Sequence, residues 1–175
     1  MTIDVRAARP DDLPAITAIY NHYVAESHAT FDLEPVTLDN RREWFAHYAA
    51  SGPHRLLVAV RDGRVAGYTM SSTLRPKPGY LTSVETTVYV DAGSLGLGIG
   101  RALYAALFRE LAGEDLHKAF AGIALPNSAS IALHRSFGFT ELGVFREAGR
   151  KFGRFWDVQW YERPLPYDGA GTPGS

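Results

Sequence analysis

Apolar and polar positions alternate from Ile3 to Ala8 as in a half-buried strand. Pro10, Asp11 and Asp12 mark a helix start, and Leu13, Ile16, Ile19, Tyr20 and Tyr23 follow at helical spacing. A second amphipathic stretch runs from Leu38 to Tyr48 and is ended by Ser51-Gly52-Pro53. Leu56 to Val60 and Val65 to Met70 read as strands around Asp62-Gly63, a pair suited to a tight hairpin because both central residues take positive φ. Thr82 to Val90 is rich in β-branched residues and tyrosine, which predicts a central strand. It runs directly into Gly93-Ser94-Leu95-Gly96-Leu97-Gly98-Ile99-Gly100. Ile99, Leu103, Leu107 and Leu111 then repeat every fourth residue, the apolar stripe of a helix that Gly113 stops. Ala119 to Ala124 reads as a strand, Asn127 to Phe137 as a helix closed by Gly138, and Phe139 to Phe145 and Phe155 to Tyr161 as two more strands. The pattern predicts one mixed α+β domain over residues 1–163 and a flexible Pro/Gly-rich tail over 164–175.

Composition narrows the function classes. Eighteen basic against nineteen acidic residues leave a net charge of -1, so no global field draws nucleic acid. The apolar runs are too short to span a bilayer. With no cysteine there is no disulfide framework, thiolate metal site or cysteine nucleophile, and the six histidines are scattered without zinc-binding spacing. The N-terminal MTIDVRAARPDD lacks the order of a signal peptide, so the expected location is the cytoplasm. No nucleic acid, membrane or metal partner is expected.

A strand, a glycine-rich loop and a helix start, in that order, form an anion site: small residues let backbone N–H groups converge where the helix dipole favours negative charge. A nucleotide-binding Walker loop needs Gly-Lys-Ser/Thr where this chain has Gly100-Arg101-Ala102. A dinucleotide fingerprint beginning at Gly98 needs glycine where Leu103 stands. Both fail on residue identity.

The loop with Gly98 and Gly100 resembles the pyrophosphate loop of the GCN5-related N-acetyltransferase (GNAT) superfamily, although Leu95 stands where that family has Gln or Arg. The family's later signature, an Asn that opens a helix ending in a Gly-Phe turn, is matched by Asn127 and Phe137-Gly138-Phe139. From residue 3 to about 163 the chain is similar to the phosphinothricin and methionine sulfoximine acetyltransferases. The matching stretches are Ile19 to Tyr23, Phe31 to Pro35, Glu85 to Val90, and Lys151-Phe152-Gly153 with Trp156-Asp157-Val158. It departs from them at Leu81-Thr82-Ser83, where many relatives carry Arg and His after the tyrosine. The resemblance implies a mostly antiparallel sheet splayed between its fourth and fifth strands, helices on both faces, acetyl-CoA as co-substrate, a small-molecule amine as acceptor and a homodimer.

Transfer of acetyl from a thioester to an amine needs a deprotonated amine, a polarised carbonyl and a protonated leaving thiol. By resemblance Glu85 accepts the ammonium proton; otherwise it is a solvated strand glutamate. Val88, Tyr89 and Val90 correspond to the strand whose backbone pairs with the cofactor arm, and Gly96, Leu97, Gly98, Ile99, Gly100 and Arg101 to the phosphate cradle. Asn127 and His134 are seven residues apart on one helix face. Asn127 either binds the cofactor arm or caps its helix, and His134 either protonates the thiolate or is a satisfied core residue. Arg75 is a candidate carboxylate binder or a solvated loop charge, and by resemblance Phe31, Glu34 and Tyr80 line the same pocket. Lys151, Arg154 and Trp156 read first as loop or interface residues. Competing readings are an acetyltransferase for protein N-termini or an amine drug, and a silent acyl-CoA sensor, which would not need Glu85.

Overall fold

In the computed structural model, which describes residues 2–166, the alternating N-terminal segment forms strand β1 (Ile3–Ala7). Asp12 fixes the handover to helix α1 (Leu13–Glu26): its carboxylate accepts from both terminal guanidinium nitrogens of Arg6 at 2.7 and 2.8 Å and from the Arg9 N–H at 2.7 Å. Helix α2 (Leu38–Phe45) starts at Thr37, whose hydroxyl accepts from the Asn40 N–H. It ends earlier than the apolar spacing predicts, because Ala46, His47 and Tyr48 donate three residues back in a tighter turn. Strands β2 (Leu56–Arg61) and β3 (Arg64–Thr73) meet at Asp62 and Gly63, with φ of 50° and 76°.

Strand β4 (Ser83–Val90), helix α3 (Ile99–Leu111), strand β5 (Lys118–Ala124) and helix α4 (Ser128–Ser136) follow as the sequence predicts. Strands β6 (Thr140–Lys151) and β7 (Arg154–Pro164) are longer than predicted. The β6 register shifts between Glu141 and Gly143 and again between Phe145 and Gly149, and such bulges break the period-two pattern by which a strand is read. The expected tail does not begin at 164: Pro164 belongs to β7, and Leu165 is 5% exposed with its N–H donating to His117 O at 2.8 Å. Residues 167–175 lie outside the described part of the chain.

The seven strands form one sheet in the order β1-β2-β3-β4-β5-β7-β6. Every neighbouring pair is antiparallel except β4 with β5. That parallel pair is short: Ser83, Val84 and Glu85 face Lys118, Ala119 and Phe120, and the register then stops. Strand β3 holds β4 as far as Val90, so residues 86–90 of β4 are paired on one side only. The rest of the chain clamps this opening from both faces. On one face Leu13, Ile16 and Ile19 of α1 pack on Leu56, Val58 and Tyr68. On the other, Tyr104, Leu107, Phe108 and Leu111 of α3 pack on Leu57, Val84, Ala119 and Ala121.

Helix α3 lies close against β3 and β4 at Gly67. A Cβ there would stand 2.8 Å from Tyr89 O and 3.0 Å from the Ile99 side chain. Gly67→Ala is therefore expected to cost about 1–3 kcal/mol of stability, read as a lower urea midpoint. An unchanged midpoint would mean that α3 can move outward freely.

Candidate active site

Where β4 and β5 part, a cavity of about 690 Å³ opens. Its walls are β4 from Glu85 to Val90, β5 at Gly122 to Ala124, the start of α4, residues 27–31 after α1, and the inward side of β6 and β7 at Phe145, Ala148, Val158 and Trp160. Glu85 stands at the last paired position before the strands separate, opposite Phe120 on one side and Ser72 on the other. Its neighbours Val84 and Thr86 are buried on the α3 side, so strand alternation turns Glu85 to the opposite face, half-buried on the cavity wall. Burial pushes its carboxyl above the ordinary range, and the charge of Arg75 opposes part of that rise. A carboxylate raised in this way is a better proton acceptor near neutral pH.

Beyond Glu85, the unpaired edge of β4 presents the backbone of Val88, Tyr89 and Val90 to the cavity. The hydroxyl of Tyr23 donates to Val90 O at 2.7 Å and holds the far end of this edge against α1. Asp91 then turns the chain into the glycine loop by accepting from the Gly93 N–H at 3.1 Å. Gly96 and Gly98 have φ of 75° and 79°, a region that favours glycine, and Gly98 caps α3. The first helical bond runs from Ala102 N to Gly98 O, which leaves the N–H groups of Ile99, Gly100 and Arg101 without helical acceptors. Beyond its chain neighbours and its own helix, nothing lies within 4 Å of where a Gly98 Cβ would stand. Gly100 sits tightly instead, its Cβ position 3.1 Å from Leu133 of α4. Ile99 is a core residue, 1% exposed, so only its backbone is available to a ligand. Leu97 and Arg101 are exposed on the loop. Leu95, where a polar residue was expected from the resemblance, is 60% exposed and stands at the cavity edge.

Asn127 accepts from the Ser130 N–H at 3.1 Å and so caps α4, and it also lines the cavity; capping and ligand contact are compatible. His134 lines the cavity, with both ring nitrogens hydrogen-bonded. Its Nδ1 lies 2.7 Å from Ser130 O, an acceptor only, so Nδ1 carries the hydrogen and Nε2 accepts from the Tyr104 hydroxyl at 2.8 Å. Burial also lowers its pKa. A 3% exposed ring with both nitrogens engaged fits the second of its two expected readings, a satisfied core residue. Tyr104, next to the stripe residue Leu103, is not singled out by the sequence pattern. A tyrosine beside the apolar stripe of a core helix needs a partner for its hydroxyl, and that is the available signal for the pair.

Phe31 lines the main cavity with its ring seated over Gly149, leaving no room there for a Cβ. Arg75 and Tyr80 line a second cavity of about 380 Å³, which shares Phe145 and Trp160 with the first. Glu34 is exposed and lines neither, contrary to expectation. Asp32 is held by the Tyr20 hydroxyl at 2.6 Å and Val36 by both ends of the Asn21 amide, so the loop between them turns to solvent. Lys151 is not a loop residue: it is 4% exposed beneath residues 23–30. Trp156 is stacked on His28 at 4.1 Å, with Arg154 over its other side at 4.0 Å. Sequence reading missed Phe145 and Trp160 as cavity walls, since strand alternation alone does not reveal which face a bulged hairpin turns to a site.

The family model of the acetyltransferase (GNAT) domain matches residues 5–160. The chain belongs to the GNAT acetyltransferases. Its mostly antiparallel sheet with one short, splayed parallel pair is the GNAT fold. It is 55% identical to the phosphinothricin N-acetyltransferase of Streptomyces coelicolor over 93% of this chain and 96% of that one. It is 38% identical to the L-methionine sulfoximine/L-methionine sulfone acetyltransferase of Pseudomonas aeruginosa, over 94% and 96%. Among solved structures, the GNAT phosphinothricin acetyltransferase of Sinorhizobium meliloti in complex with acetyl-CoA superposes with a TM-score of 0.88 at 31% identity, covering 100% of this chain and 94% of that one. Among the described residues, no group of three or more His, Cys, Asp or Glu could hold a metal ion, and no helix is long and apolar enough to cross a membrane.

Proposed function

We propose that this GNAT domain transfers the acetyl group of acetyl-CoA to the amino group of a small amino-acid-like substrate of the phosphinothricin and methionine sulfoximine kind. The observation that carries this reading is Glu85, a partly desolvated carboxylate at the point where β4 and β5 part. The fit to acetyl-CoA rests on two features of the chain: N–H groups at the start of α3 that have no helical acceptors, and the one-sided β4 edge beside the cavity. Residues Gly96 to Arg101 would hold the phosphates through backbone N–H groups, and Val88 to Val90 with Asn127 the arm. When bound, acetyl-CoA supplies the activated acyl carbon.

Glu85 takes a proton from the substrate ammonium, directly or through one water, and frees the lone pair that forms the new C–N bond. An N–H of the β4 edge stabilises charge on the carbonyl oxygen as that bond forms. The C–S bond breaks, and a proton released from the amine leaves with the thiol. Arg75, whose charge acts on Glu85 and which lines the adjoining cavity with Tyr80, would meet the substrate's acidic group there.

Thiol release from acetyl-CoA across a panel of phosphinothricin, methionine sulfoximine, methionine sulfone, common amino acids and a peptide N-terminus tests the reading. Turnover of the first three is expected. Turnover of the peptide alone would move the substrate class to protein N-termini, and binding without any turnover would leave a sensor. Acetyl-CoA at 100 times its dissociation constant is expected to stabilise the fold by about 2.7 kcal/mol. An unchanged Tm at saturation would remove the cofactor assignment.

Dependence on acetyl-CoA favours the cytoplasm as the place of action. The homodimer reading is supported by the sheet edge: β6 pairs only with β7, and Leu142, Phe145 and Phe155 are 52–55% exposed on this hairpin. Light scattering is expected to give twice the monomer mass; a monomer at micromolar concentration would overturn the dimer.

A further inference from the structure

Lys151 is nearly inaccessible, yet its ammonium is met by three backbone carbonyls rather than by a carboxylate. It donates to Ser27 O at 2.7 Å, Thr30 O at 2.9 Å and Tyr23 O at 3.3 Å. An ammonium has three donors, and here each has an acceptor. The acceptors belong to the last turn of α1 and the segment that follows, where the end of the helix favours a positive charge.

That segment is a wall of the active-site cavity: each residue from Ser27 to Phe31 lines it. Trp156 of the same hairpin reaches the same segment, which is also tied to the loop before α4. Trp156 donates to Lys151 O at 2.9 Å and stacks on His28, and the His28 Nε2 lies 2.9 Å from Pro126 O. Gly149, two residues before Lys151 on the same face of β6, provides the space in which the Phe31 ring rests. Replacing the ammonium by an apolar group would take this donor from Ser27 O and Thr30 O, while Tyr23 O keeps the Ser27 N–H at 3.1 Å, and the segment would have to move outward for those two carbonyls to find water.

We propose that Lys151 is a positioning residue for the amine substrate: from the β6–β7 hairpin its ammonium sets the path of residues 27–31, and thereby the place of the Phe31 ring in the cavity that Glu85 lines. The kinetic consequence rests on the acetyl-transfer reading above; the clamp itself does not.

The test uses the full chain with Lys151→Met, Phe31→Ala and the double variant, with phosphinothricin and methionine sulfoximine as amines. Lys151→Met is expected to raise the KM for amine about tenfold, the scale of one lost charge-assisted hydrogen bond. The KM for acetyl-CoA should stay within about twofold, since the phosphate cradle lies on a different element. In the double variant the amine KM should be no worse than in Phe31→Ala, because residues acting through one another are not additive. Hydrogen exchange of residues 27–31 should quicken in Lys151→Met. Independent, multiplying effects would overturn the proposal, as would a lower Tm with both KM values retained. If Lys151→Met does not fold, Gly149→Ala decides: it keeps the lysine's bonds and displaces only Phe31, so the amine KM should rise, and an unchanged value overturns the proposal. If the wild-type protein acetylates no amine, the proposed function falls by itself, and unaltered exchange in Lys151→Met would separately overturn the clamp.

Discussion

Glu85→Gln is expected to lower kcat/KM for the amine at neutral pH by about 10²- to 10⁴-fold while acetyl-CoA still binds. Glutamine keeps the size and the acceptor oxygen but removes the basic carboxylate. Because burial already disfavours the charged form of Glu85, the neutral replacement should leave Tm no lower. The pH dependence separates a base from a residue that merely positions substrate. In the wild-type protein the carboxyl must be ionised to accept a proton, so activity falls as pH drops through its pKa, which burial places above the ordinary glutamate range. In the variant the deficit should shrink as pH rises, since an α-amino group of pKa about 7.7–8.0 then arrives increasingly neutral. Equal rates at every pH would make Glu85 only a strand residue. A uniform loss that ignores pH would make it a positioning group.

How far the chain could be read without coordinates depended on how local each signal was. Asp62-Gly63, the stripe from Ile99 to Leu111 and the cap at Asn127 are short-range patterns, and each element formed where it was expected. Glu85 is named by resemblance, on the strand before the glycine loop, and its position is where the strand pairing ends. The failures are long-range. Lys151 reaches carbonyls more than a hundred residues earlier, so nothing near it in sequence announces a buried ammonium. For His134 the helix face leaves acid and core residue both open, and the contact that bears on the choice, Tyr104, comes from another helix. Glu34 and Phe31 lie three residues apart, yet only Phe31 reaches the cavity, because Tyr20 and Asn21 of α1 decide how the intervening loop is held. A resemblance carries residues across by position. Orientation within a loop is decided by contacts that position does not contain.

Gly98→Val is expected to weaken acetyl-CoA binding by about 10- to 100-fold, the range of one lost charge-assisted hydrogen bond to a phosphate. Two effects act at this residue. Its φ of 79° is one that a β-branched residue adopts only with strain, so the loop and the first turn of α3 would be disturbed. A Cβ at this position would meet nothing within 4 Å, so a valine there is expected to act on a ligand at the helix start rather than on the packing of the protein. Gly63→Val separates the two. Gly63 has a φ of 76° and equally open surroundings, but it sits in the β2–β3 turn away from the cavity. Both variants should lose stability, and only Gly98→Val should lose affinity, measured by calorimetric titration of the folded proteins below their melting temperatures. Equal loss of affinity in both would point to a general loosening of the sheet. Normal affinity in folded Gly98→Val would show that the glycine loop does not hold the phosphates, and the anion site would have to be sought elsewhere on the β4 edge.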